Sequence, residues 1–316
     1  MNAATRGAFL GGSLAASLVS AAPALAKIGM QKVRIGVTPT EVYAEAYYAA
    51  DMGFFQKAGL DADVQTLNSG SAAANAIAGG SLDVGVTTPL LLANAILRGI
   101  PFVIIAAGPL STTKEPQSLI CVKSTSSLRT PKDLEGKTVG MIVLKTTQEL
   151  SLDAWLDKGG AQGSTVRRVE VLFSEMGAAL ERGSIDAAII SEPFLSNSLK
   201  SGTVRSIGDP NVAIAPAYLL GAWFTTRTFA HQNPTTVKRF IDVIYATAKW
   251  ANTHRPQTAL IVAKYMKISP DVTRTMNRIT YAETMLIPEM QALLDPSYKY
   301  GLLPKPVVAG DLVLHA

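Results

Sequence analysis

Cysteine is almost missing from this 316-residue chain: Cys121 is the only one, so no intrachain disulfide can form. Neither a cysteine-based zinc site nor an iron–sulfur cluster is available to it. Histidine is nearly as scarce. His231, His254 and His315 fit no metal-ligand spacing, and all three read as surface residues. Charge is thin too: 17% of residues are charged, where an average globular chain has roughly a quarter. The 29 basic and 24 acidic residues leave a net charge of +5. No run of Lys or Arg concentrates that charge, which argues against a nucleic-acid partner. The expected mature chain has no G-x-S-x-G elbow, Walker loop or dinucleotide fingerprint. No nucleophile can be matched with a base and oxyanion donors. These absences predict a protein that is not an enzyme and that holds neither cofactor nor metal.

What is present is apolar. Hydrophobic residues make up 48% of the chain, which excludes intrinsic disorder, and the length implies one large or two medium domains. Residues 1–26 carry a single charged side chain, Arg6, then an Ala/Leu/Gly/Ser stretch from Ala8 to about Val19, Pro23 and the small-residue triplet Ala24-Leu25-Ala26. That order predicts a secretory signal peptide with Lys27 as the first mature residue; an uncleaved membrane anchor is the alternative. Thr5-Arg6-Gly7-Ala8-Phe9-Leu10 is similar to a twin-arginine signal lacking one arginine, which leaves the export route open. Cys121 lies too far from the cleavage point to take a lipid there. The expected mature protein is free and soluble outside the cytoplasm, in the periplasm, and not a lipoprotein. It has 290 residues (316 less 26) and a net charge of +4, since Arg6 is lost. No later stretch is long enough to span a bilayer.

The rest alternates strand-like and helical segments. Lys32–Val37 reads as a strand followed by the turn Thr38-Pro39-Thr40, with a helix from Glu41 to Phe55 stopped by Gly59. Val64–Leu67, Leu82–Val86 and Pro101–Ala106 read as further strands, separated by an Ala-rich helix that follows Asn68-Ser69-Gly70-Ser71 and ends at Gly79-Gly80, and by a helix over Leu90–Leu97. Lys137–Val143 opens a second series, and its helix runs through Trp155. Gly80-Ser81-Leu82-Asp83-Val84 and Gly183-Ser184-Ile185-Asp186-Ala187 look like copies of one segment. Each follows an Ala-rich helix and leads through a strand to a polar pair before proline: Thr87-Thr88-Pro89 and Ser191-Glu192-Pro193. Two α/β halves with largely parallel sheets are predicted, and ligands of open α/β sheets bind outside the strand C-termini. A strand over Ala217–Thr226 and a long helix to Thr253, capped by Asn233-Pro234-Thr235-Thr236, follow. The helical final third is expected to pack back on the first half, making segments near 111–122 and 214–222 the hinge strands.

The polar strand ends offer binding chemistry. Ser69-Gly70-Ser71 and Thr146-Thr147 stand where helix N-termini can hold an anionic or polar group. Glu192 can accept an N–H or hydroxyl from a ligand, or instead form an ion pair with Lys145. Tyr43 and Trp223 are candidate apolar walls, whereas Tyr47 reads as core. Cys121, within Leu119-Ile120-Cys121-Val122, reads as a small buried hydrophobe.

Gly53-Phe54-Phe55-Gln56-Lys57-Ala58-Gly59-Leu60 resembles the GFF-x-x-x-GL motif of extracytoplasmic solute-binding proteins, in the nitrate/sulfonate/taurine and thiamine-precursor group that serves ABC importers. Gly80-Ser81-Leu82-Asp83, Gly99-Ile100-Pro101, Asp133-Leu134-Glu135-Gly136-Lys137, Gly183–Ala188 with Glu192-Pro193-Phe194, Asn233-Pro234 and Tyr300-Gly301-Leu302-Leu303-Pro304 match in the same order. The resemblance implies an α/β type II periplasmic binding-protein fold: two lobes (27–116 with 219–316, and 117–218) that close on a ligand and dock on a permease with its ATPase. It also implies a monomer that binds a small molecule without altering it. Ligand contacts implied by the motifs fall on Thr38, Thr40, Tyr43, Ser69, Gly70, Ser71, Thr87, Thr88, Thr146, Thr147, Glu192 and the region of Trp223. Related sulfonate binders often carry an aromatic residue where Ile190-Ser191 stands, which weighs against an alkanesulfonate or taurine ligand. Two alternatives remain: fold-related enzymes of menaquinone or thiamine-precursor synthesis, and a binding partner of a membrane sensor.

Overall fold

The computed structural model describes residues 29–315, so the export-signal reading of residues 1–26 lies outside the described part. Its strands are β1 (Gln31–Val37), β2 (Leu60–Thr66), β3 (Val84–Thr87), β4 (Phe102–Ala107), β5 (Pro109–Thr112), β6 (Ser118–Lys123) and β7 (Thr138–Met141). They continue with β8 (Arg167–Glu170), β9 (Ala187–Ser191), β10 (Val204–Gly208), β11 (Ala217–Leu219), β12 (Ala222–Thr226) and β13 (Thr280–Tyr281). Two five-stranded sheets result, ordered β2-β1-β3-β12-β4 and β8-β7-β9-β6-β10. In the first, β1 is parallel to β2 and β3, and β12 runs antiparallel to β3 and β4. In the second, β7 is parallel to β8 and β9, and β6 runs antiparallel to β9 and β10. The two sheets thus share one plan, and the internal repeat in the sequence is a repeat of structure.

The repeated Gly-Ser-x-Asp segments show what holds the plan. In the first half the Asp83 carboxylate accepts the Arg34 N–H at 2.8 Å while the Asp83 N–H donates to the Arg34 carbonyl at 2.9 Å. In the second, Asp186 accepts the Thr138 N–H at 2.8 Å and donates its own N–H to the Thr138 carbonyl at 2.9 Å. Each aspartate therefore fastens the central strand of its half in register just before β3 or β9 begins. A carboxylate accepting a main-chain N–H is among the stronger hydrogen bonds a fold can make.

Both faces of both sheets are covered. Val103 and Ile105 of β4 enter one cluster and Phe102 and Ile104 another, the period-two alternation of a strand buried on both sides. Ile120 and Val122 divide from Cys121 in the same way in β6. Cys121 is fully buried, and burial pushes its thiol up to about 12, as suits a small hydrophobe.

Three local expectations need correction. The helix expected over 41–55 is broken into a short 3-10 turn at Glu41–Tyr43 and helices at Glu45–Asp51 and Phe54–Lys57, the second break falling where Gly53 takes a left-handed φ of 69°. The strand expected over 217–226 divides at Leu220-Gly221 into β11 and β12, which join different sheets. Asn233 does not cap the Pro234–Thr253 helix through its side chain, which donates backward to the Phe229 carbonyl.

The two halves are joined by a third, small sheet ordered β11-β5-β13. β5 leaves the first half and β11 returns from the second, and they pair antiparallel from Thr112–Ala217 to Leu110–Leu219. The two crossovers therefore lie side by side.

Candidate functional site

A cavity of about 110 Å³ opens where the halves meet, beside the crossovers. From the first half come Thr40, Glu41 and Val42, in the turn after β1. Thr147 and Gln148, at the start of the helix Thr147–Lys158, and Ser191 and Glu192, at the end of β9, come from the second. Ser111, Gln117, Ser118, Asn211, Tyr218 and Leu220 complete the wall from the crossover segments. The ends of the equivalent strands β1 and β7, together with the end of β9, thus open on one space. Its volume is well below the roughly 300 Å³ at which drug-sized sites begin, so the occupant is small.

Several wall groups are buried without a partner: the hydroxyls of Thr40 and Thr147 and Gln117 Oε1. A buried polar atom left unpaired costs roughly 1–3 kcal/mol, and three such atoms around one cavity mark where hydrogen bonds from a bound molecule would be regained. Their neighbours are fixed. Gln148 accepts the Ile142 N–H through Oε1 and donates to Ser191 Oγ through Nε2. Asn211 donates to Ser118 Oγ and accepts the Tyr218 hydroxyl at 2.9 Å.

Glu192 stands in the wall with a preceding role of its own. Oε1 accepts the Ser196 hydroxyl at 2.9 Å and the Asn277 N–H at 3.2 Å, and Oε2 accepts the Ser196 N–H at 3.2 Å. Asn277 also donates to the Pro116 carbonyl, so Glu192 is tied to the segment just before β13. The ion pair with Lys145 does not form; the main-chain N–H of Lys145 bonds the Glu149 carboxylate instead. Burial raises the Glu192 carboxyl above its ordinary range, and the bonds from Ser196 and Asn277 pull the other way. Glu41 is also buried, but it is paired with Arg278 at 2.8 Å.

The twelve residues expected to bind ligand divide into groups. Thr40, Thr147 and Glu192 line the cavity. Thr38 and Tyr43 flank the lining turn; Thr38 keeps a buried unpartnered hydroxyl, and the Tyr43 ring lies where a Cβ on Gly221 would come within 2.8 Å of it. The remaining hydroxyls serve the fold: Ser69 caps its helix through Ala72 N–H, Thr88 caps the next through Leu91 N–H, and Thr146 donates to the Val143 carbonyl. Thr87 is buried against Gly70, where a Cβ would meet its Oγ1 at 2.2 Å, and Ser71 is exposed. Trp223 is no cavity wall. It is fully buried in the first half, and its Nε1 donates to Glu45 at 2.8 Å. Gln117, Ser118, Asn211 and Tyr218 were not expected; no local motif marks them, and only the pairing of β5 with β11 assembles them.

Two sheets of one plan, adjacent crossovers and a polar cavity at the junction define a two-lobed α/β binding protein of the type II periplasmic kind. The chain belongs to the NMT1/THI5 like family, whose profile it matches over residues 41–259. It is 29% identical to the taurine-binding periplasmic protein of Escherichia coli strain K12 over 221 residues, 69% of this chain and 67% of that one. The crystal structure of the periplasmic aliphatic sulphonate-binding protein SsuA from Escherichia coli superposes with a TM-score of 0.75 at 20% identity, over 90% of this chain and 92% of that one. The desulfurization enzyme DSZB shares the fold as well, with a TM-score of 0.70 at 16% identity, over 90% of this chain and 96% of that one.

Proposed function

We propose that this chain is the extracytoplasmic solute-binding component of an ABC-type importer. It captures a small polar organic molecule between two lobes, residues 27–116 with 219–316 and residues 117–218, and hands it as a monomer to a membrane permease and its ATPase. In this reading it works in the periplasm after removal of residues 1–26 near Ala26, without a lipid anchor. The carrying observation is the cavity at the junction, supplied by both halves and holding buried polar atoms without partners. Ligand contacts to both halves would favour a closed arrangement over an open one, and the paired crossovers β5 and β11 are the natural pivot. The taurine-binding relative supports transport, and the wall chemistry supports binding over turnover. Among the described residues no histidine or cysteine lines the cavity, and the hydroxyls of Ser118 and Ser191 each accept a hydrogen bond from a side-chain amide and are hydrogen-bonded to no base that could take their proton.

Calorimetry and thermal shift against sulfonates, nitrate, amino acids, pyrimidines and aromatic acids test this reading. A ligand at a hundred times its Kd should stabilise the protein by about 2.7 kcal/mol. Glu192→Ala and Thr147→Val should each weaken the true ligand about tenfold, the worth of one lost hydrogen bond in a buried site. Full affinity in both variants would show that the cavity is not the site.

A further inference from the structure

We propose that the solute must present an N–H-bearing nitrogen group, an amine, amide or ring N–H, and that small anions without one are rejected. This rests on the cavity being the solute site. The wall has no Lys, Arg or His. Arg278, the guanidinium that pairs with Glu41 of the wall, has every donor engaged: Nε on Glu41, one terminal nitrogen on the carbonyls of Arg255 and Thr273, and the other on the hydroxyls of Tyr48 and Thr258. It compensates Glu41 and offers nothing to a ligand.

Glu192 has no such counter-charge. Three protein N–H and O–H groups occupy its two oxygens, and a carboxylate has about four acceptor positions, so one remains for a ligand. Gln117 adds an acceptor. It is nine-tenths buried, its amide nitrogen gives one N–H to the Glu115 carbonyl, and its Oε1 has no partner. Asn211 gives its amide N–H groups to Ser118 and Asp209, and Gln148 gives one of its two to Ser191. What the side chains leave over is one carboxylate position, one amide oxygen, a second amide N–H on Gln117 and on Gln148, and a few hydroxyls that can donate or accept. No cation stands among the lining residues, so the carboxylate of Glu192 asks the occupant for a donor.

The helix Thr147–Lys158 starts at the cavity with no side-chain cap, and Thr147, itself buried, keeps its hydroxyl unpaired there. This end can receive an acid group, but only on a molecule whose other end satisfies Glu192 and Gln117. A lone anion would gain the helix end and still face the carboxylate of Glu192 with no cation in the wall to offset the repulsion.

Matched pairs that differ in the N–H-bearing nitrogen test the proposal by calorimetry and thermal shift on the mature chain: taurine against ethanesulfonate, β-alanine against propionate and cytosine against its N–H-free analogue 1,N4,N4-trimethylcytosine, with nitrate as a further anion. At least one N–H-bearing compound should bind, and its partner should bind at least tenfold more weakly. Glu192→Gln should narrow that ratio several-fold, a change that mere loss of folding would not produce. Binding of ethanesulfonate, propionate or nitrate as tight as that of the nitrogen-bearing partner would overturn the proposal and leave solute capture standing. No binding by any compound of either class would overturn both.

Discussion

Glu45 lies fully buried in the first half with one oxygen accepting Trp223 Nε1–H and the other unpartnered, and burial lifts its carboxyl from 4.5 to about 8. No cation compensates it. At neutral pH the folded protein therefore holds a proton that the unfolded chain releases, so folding takes up a proton across this window. The sign follows from linkage: a raised carboxyl pKa contributes stability in full below the unfolded value, near 4.5, and that stability is lost as pH rises through about 8. At about 1.4 kcal/mol per pH unit, moving from pH 4.5 to pH 7 should remove about 3 kcal/mol, and the loss should approach 5 kcal/mol above pH 8. Glu45→Gln keeps an acceptor for Trp223 and carries no titratable group. Urea unfolding between pH 5 and 9 should show the wild type losing stability with rising pH and the variant following a flatter line. Equal slopes in the two proteins would refute the argument that Glu45 is buried without compensation.

Other expectations follow from the same geometry. Trp223→Phe should cost about 1–3 kcal/mol by stranding Glu45, measured by denaturant unfolding, and leave ligand affinity unchanged; a loss of affinity would return Trp223 to the site. Cys121→Ser places a hydroxyl in a closed apolar cluster and should cost about 1–3 kcal/mol with no effect on binding. Asp186→Asn replaces a charge-assisted bond to β7 by a weaker one and should destabilise by about 1 kcal/mol, read by hydrogen exchange as faster opening of that strand. Because burial raises the Glu192 pKa, affinity for a nitrogen-bearing solute should fall on acidification, starting above the ordinary carboxylate range and nearly disappearing in Glu192→Gln.

Much of the fold was legible because short-range signals agreed with long-range needs. Asp83 and Asp186 stand in copies of one segment, and both turn out to hold a central strand in place. Thr40, Thr147 and Glu192 were found as polar residues after strands, which is where an α/β sheet exposes them. The hidden part of the site lies on the crossovers. Gln117 and Asn211 are separated by nearly a hundred positions and by the whole second half, and no spacing rule relates them. Ser69 and Thr88 lie outside this cavity and cap their own helices: a hydroxyl at a helix N-terminus satisfies that helix as readily as a ligand. Trp223 misled because an aromatic next to a glycine turn looks the same in sequence whether it faces a cleft or a core.

The shared sheet plan has a consequence for the order in which the molecule can be built. The strand that joins β3 to β4 in the first sheet is β12, at residues 222–226, whereas the second sheet takes all five of its strands from residues 118–208. Its two apolar clusters also draw only on that interval, while those of the first sheet reach from Val33 to Leu314. As the chain emerges N-terminus first, the portion made later is the first able to close on itself. The earlier portion must wait, with β4 unpaired, until the chain has come back from its neighbour.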